Sequence, residues 1–132
     1  MVKCILNDLE ILEFHFDYLK KVFNDQNLKE EYKKDIIFRR FRMSIELFWK
    51  VLKKILETEK IEVSTPRQVM QQAFQNKLID DEKIWFSMLD DRNISSHMYD
   101  EQDALRIRNR IQDEYFKVMN EAYKILKQKY KQ

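Results

Sequence analysis

Glycine is absent from this sequence, proline occurs once (Pro66) and cysteine once (Cys4). Sheets and hairpins draw on glycine for their tight turns, so a glycine-free chain points to long helices with short connections. Glycine-rich phosphate loops are excluded for the same reason. One cysteine allows no intrachain disulfide and no four-cysteine zinc site. No run of about 18 apolar residues exists to span a membrane. The opening MVKCILNDLEILEF sets Asp8 and Glu10 inside its apolar stretch, which a secretory signal would not tolerate, and the expected location is cytoplasmic.

What remains is a soluble composition, 44% hydrophobic and 36% charged over 132 residues, which suits a single domain over 1–132. The formal net charge of +2 neither demands nor forbids nucleic acid.

Ile5, Leu9, Leu12, Phe16, Leu19 and Phe23 recur at helical spacing, and the turn-forming NDQN (24–27) ends that run. A longer helix is predicted from Leu28 to Glu59, with Ile37, Phe41, Ile45, Phe48, Leu52 and Ile55 inward and a length of roughly 45 Å. Thr65-Pro66-Arg67-Gln68 reads as an N-cap, a first-position proline and a reciprocal glutamine, opening a short helix to about Lys77. Asp80 is the expected cap of a fourth helix carrying Ile84, Trp85, Met88 and Leu89, and Asp100 of a long final one. On that last helix Ile107, Ile111, Tyr115, Val118, Ala122 and Ile125 form one stripe. Phe116, Met119, Tyr123 and Leu126 form a second, one residue on. The expected fold is therefore an all-α, up-and-down bundle of about five helices, two of them long. The apolar faces of the second and last helices are both broad, more than a lone small bundle buries, which points to a homodimer.

Chemistry concentrates between Asp91 and Tyr99. His15 lies beside the first core stripe and reads as structural, whereas His97 has Arg92, Asn93, Ser95 and Ser96 for company. Arg92 and His97 would point about 140° apart on an unbroken helix. Asn93, Ser95 and Ser96 favour caps and turns, so the helix is expected to end or deform near Asn93 and let the two converge. A histidine titrates near neutral pH and an arginine fork grips phosphate, a pairing that suits RNA cleavage without metal or cofactor. The plainer alternative is a helix-end ion pair of Arg92 with Asp90, Asp91 or Asp100. No Glu-x-x-His pair is present for a di-iron site, and His97-x-x-Asp100 offers two metal ligands at most. Glu46, Trp49 and Trp85 read as packing and helix-pair residues. Arg39, Arg40, Arg42, Arg106, Arg108 and Arg110 read as a solvated face before an RNA-tracking one.

RNISSHMY (92–99) resembles the signature of the HEPN superfamily, an arginine and a histidine separated by four to six residues. Its tyrosine two residues beyond the histidine resembles the HepT-type toxins. The flanks RRFRMSIELFWKVLKKIL (39–56) and STPRQVMQQAFQNKLIDDEKIWFSMLDDRN (64–93) are similar to the long helix and inserts of nucleotidyltransferase substrate-binding proteins. Arg42-Met43 departs from the Phe-Glu-Phe-like run common there. The resemblance implies a HEPN-like, dimeric, metal-independent endoribonuclease with Arg92, His97 and Asn93 catalytic and RNA as substrate. It implies a minimal nucleotidyltransferase as antitoxin partner, nucleotidylating Tyr99. The alternative it carries is a non-catalytic subunit presenting substrate to a two-chain nucleotidyltransferase.

Overall fold

The computed structural model describes residues 1–95 and 100–131, and every regular element among them is helical. Helix α1 (Val2–Asn24) and helix α2 (Glu30–Thr58) form the long pair. Helices α3 (Pro66–Gln75) and α4 (Glu82–Ser95) are shorter. Helix α5 (Glu101–Arg110) runs through a π-helical turn (Ile111–Tyr115) directly into helix α6 (Phe116–Tyr130). The all-α bundle expected from the sequence is the observed fold.

The starts of α3, α4 and α5 each carry a side-chain cap, whereas that of α2 does not. Asp25 accepts from the backbone N–H groups of Asn27 and Leu28, closing the turn after α1, and α2 begins at Glu30 rather than Leu28. The capping box forms as expected: Thr65 Oγ1 accepts from Gln68 N at 3.2 Å, and Gln68 Oε1 accepts from Thr65 N at 3.4 Å. Asp100 caps α5 by accepting from Gln102 N at 2.8 Å. The cap of α4 is Asp81, one residue later than predicted, with its carboxylate accepting from Lys83 N at 2.9 Å. Asp80 is displaced because α3 ends in a loop that spends Leu78 and Ile79 on the core.

Without glycine the helix ends use lysine. Lys60 (φ 63°) and Lys77 (φ 64°) take the left-handed conformation. Ile61 N then bonds Leu56 O at 2.9 Å and Leu78 N bonds Ala73 O at 2.8 Å, closing α2 and α3 in Schellman fashion.

One core joins all the helices, from Ile5, Leu12 and Phe16 on α1 through Phe41, Phe48 and Leu52 on α2 to Trp85 on α4 and Tyr115 in the π turn. Within the C-terminal run, Ile107, Ile111 and Tyr115 are buried, then Phe116, Met119, Tyr123 and Leu126, while Ile125 is 57% exposed. The two sequence stripes are thus a single buried face. An α-helix turns about 100° per residue, and the one-residue surplus of a π turn moves the inward face from the first stripe to the second. The hydrogen bond that marks the surplus runs from Phe116 N to Ile111 O. Phe16 fills the second stripe's side, meeting Phe116 and Tyr123 edge to face at 5.9 and 5.7 Å. The second stripe is therefore buried within one chain, while Ile125 of the first stays at the surface.

His15 is buried, and its Nδ1 lies 3.0 Å from Arg40 Nη1. A guanidinium only donates, so Nδ1 accepts and the ring proton sits on Nε2. Burial, and then the charge of Arg40, hold the His15 pKa below its ordinary value. The unfolded chain therefore binds a proton more readily than the native one. The stability that depends on neutral His15 is complete above the unfolded pKa of about 6.5 and is lost as pH falls from there through the lower folded pKa. Melting curves between pH 7.5 and 5 are expected to show wild type losing more stability on acidification than His15→Gln; parallel curves would refute the assignment.

Candidate functional site

The last turn of α4 carries Arg92 and Asn93 and faces the middle of α2. Arg92 Nη1 donates to Glu46 Oε2 at 2.9 Å, and Arg92 Nε and Nη2 both donate to Asn93 Oδ1, at 3.2 and 3.0 Å. Helical neighbours normally point apart, but here the guanidinium folds back over Asn93, which sets its plane from one side while Glu46 sets it from the other. The fork lies at the lip of an open groove of about 370 Å³ lined by Arg42, Met43, Glu46 and Arg92. Two guanidinium groups and one carboxylate line that groove.

Arg42, Met43 and Glu46 share one face of α2 because residues three and four apart stack on a helix. The departure of Arg42-Met43 from the family pattern thus lands in the groove itself. Glu46 was legible only as a helix-pair residue, and it is one, but its partner is the motif arginine. Trp49, one turn on from Glu46, is half-buried against the core, Lys50 is exposed and Trp85 is fully buried against Phe48. Helix α4 continues to Ser95, two residues beyond the expected break at Asn93. Asn93 gives its side-chain oxygen to Arg92, so it does not compete for the backbone. His97 and Tyr99 lie outside the described residues, and so does their convergence with Arg92.

Immediately before Arg92 in the chain comes a buried acid. Asp91 is 4% exposed, accepts a hydrogen bond from the Tyr115 hydroxyl and lies 3.4 Å from Arg110 Nη1. Its sequence neighbour Asp90 is exposed and pairs with Arg67 at 3.6 Å. The remaining arginines are mostly engaged at home. Arg108 meets Glu30 at 2.6 Å, Arg106 meets Asp103 at 3.9 Å, and Arg40 covers the Tyr18 ring at 4.1 Å. Among the described residues no three of His, Cys, Asp or Glu come together to hold a metal ion, and no helix is long and apolar enough to cross a membrane.

A model of the nucleotidyltransferase substrate binding protein-like family matches residues 7–128. The chain belongs to this family. A crystal structure of a protein from Thermus thermophilus superposes on it with a TM-score of 0.77 and 29% sequence identity, over 87% of this chain and 98% of that one. No curated protein matches. The resemblance read from RNISSHMY and its flanks is borne out at the level of family and fold. As a substrate-binding-like chain it has a nucleotidyltransferase for its implied partner. The α2–α4 groove, with its bracketed arginine, lies well inside the matched span.

Proposed function

We propose that this chain is a HEPN-type toxin of a toxin–antitoxin pair: a homodimeric, metal-independent endoribonuclease, held in check by a minimal nucleotidyltransferase. The observation that carries the reading is the Arg92 fork, bracketed by Glu46 and Asn93 at the lip of a groove shared with Arg42. A pre-aimed guanidinium stabilises the charge that gathers on non-bridging phosphate oxygens without reorganising at the moment of reaction. His97, five residues on, is the acid–base group. The ribose 2′-oxygen loses its proton and attacks the adjacent phosphorus, the P–O5′ bond breaks, and the departing 5′-oxygen takes a proton. The products are a 2′,3′-cyclic phosphate and a 5′-hydroxyl. Asn93 acts by holding Arg92. The exposed Met43 and Ile94 beside the groove are apolar surface suited to a second copy whose own Arg92 and His97 would complete the cleft. A nucleotidyl group on the Tyr99 hydroxyl would bring phosphate to Arg92 and block RNA.

A second reading is favoured by the family's description: a non-catalytic subunit that presents substrate to its nucleotidyltransferase. Both are tested with a fluorescent single-stranded RNA in the presence of EDTA. Wild type is expected to cleave it, and His97→Ala, folded by circular dichroism, to be slower by about 10²–10⁴. An inert wild type that raises the transferase activity of its companion would instead establish the second reading. Co-expression with the companion is expected to add nucleotidyl mass that Tyr99→Phe abolishes.

A further inference from the structure

The buried carboxylate of Asp91, next to Arg92 in the chain, is unused by the proposed chemistry, yet three elements are built around it. Asp91 sits on the last turns of α4, immediately before Arg92, with only 4% of its surface exposed. A carboxylate so removed from water is costly unless its oxygens are met. One of them, Oδ2, is met twice: the Tyr115 hydroxyl donates to it, and Arg110 Nη1 lies 3.4 Å from it. Those two partners stand five residues apart, which on a regular α-helix would turn them about 140° away from one another. The π turn at Ile111–Tyr115 cancels that divergence. It leaves the Arg110 guanidinium 5.1 Å above the Tyr115 ring and both groups on one carboxylate. The Tyr115 ring is also stacked on Phe41, at 5.5 Å and 15°. Phe41 is the residue of α2 that immediately precedes the groove-lining Arg42.

From this geometry we propose that Asp91 and Tyr115 are positioning residues, fixing the last turn of α4 against α2 so that the Arg92 fork stays aimed into the groove. Two tethers then hold that turn: Arg92 to Glu46 on the solvent side, and Asp91 to Tyr115 on the core side. Stability alone does not call for the second, since apolar groups in place of both the Asp91 carboxylate and the Tyr115 hydroxyl would pack without a charge to satisfy. Burial, and then the facing Asp91, push the Tyr115 phenol well above its ordinary pKa, so it remains a donor throughout the physiological range.

The inference rests on the catalytic reading above for its kinetic consequence, but its geometric content is tested separately. Tyr115→Phe keeps the stacked ring and removes only the hydroxyl; Asp91→Asn removes the charge. Both variants are expected to fold, with kcat for RNA cleavage lowered about 10- to 100-fold and KM within about twofold of wild type. The Arg92 Nε–H resonance, identified by its loss in Arg92→Lys, is expected to shift and broaden in both variants in ¹H–¹⁵N spectra. Thr65→Ala, which loosens the distant start of α3, serves as the control and should move neither readout. An unchanged Arg92 resonance in Tyr115→Phe and Asp91→Asn overturns the proposal. If wild type fails to cleave RNA, the nuclease reading falls, and the resonance alone decides whether the tether positions Arg92.

Discussion

Arg92→Ala is expected to lower RNA cleavage by about two to three orders of magnitude while leaving the fold intact. Losing one pre-aimed donor to the developing phosphate charge costs on that scale in other enzymes. Little stability is lost with it, because the Glu46–Arg92 pair is partly solvated, with side chains 43% and 20% exposed, and such pairs contribute at most about 1 kcal/mol. Arg92→Lys should not restore activity: an ammonium cannot span Glu46, Asn93 and a phosphate at once. Comparing kcat/KM with the melting temperature of each variant checks the expectation. A variant that cleaves normally, or one that loses activity only in proportion to unfolding, would remove Arg92 from the chemistry.

Phe16→Ala should give the largest loss of stability without touching the groove. Phe16 is 1% exposed and meets Phe116 and Tyr123 edge to face, so truncation leaves a cavity between α1 and α6. Phenylalanine truncations in cores cost about 3–5 kcal/mol, which for a chain of this size lowers the melting temperature by roughly 10 °C or more. A shift of only a degree or two would mean that α1 and α6 do not pack as described and that the second apolar stripe is free for another partner.

Helices, caps and most of the core were legible because each rests on local chemistry. The Thr65–Gln68 box and the Asp100 cap need only neighbouring backbone groups, and both form. The family was legible in RNISSHMY with its flanks. Features set by tertiary placement were not. The cap of α4 falls on Asp81 because two adjacent aspartates differ only through the positions of Leu78 and Ile79 in the core. Glu46 meets Arg92 across 46 positions of sequence, a distance over which spacing carries no signal. The doubled stripe after Ile107 suggested excess apolar surface because periodicity assumes a constant twist, which the run from 111 to 115 does not keep. Asp91 looked like one of two interchangeable acids until the fold placed one in solvent and the other under a phenol.

That irregular stretch has a consequence for comparing relatives. It acts as a one-residue insertion hidden inside an unbroken helix, invisible to any count of turns or loops. A homologue one residue shorter between 111 and 115 would rotate its terminal segment by about 100°. Val118 and Ile125 would then face the interior, with Phe116 and Tyr123 thrown outward. Alignments of this lineage should therefore admit a gap there, and grafting the tail of one member onto another will succeed only where the two share the same phase.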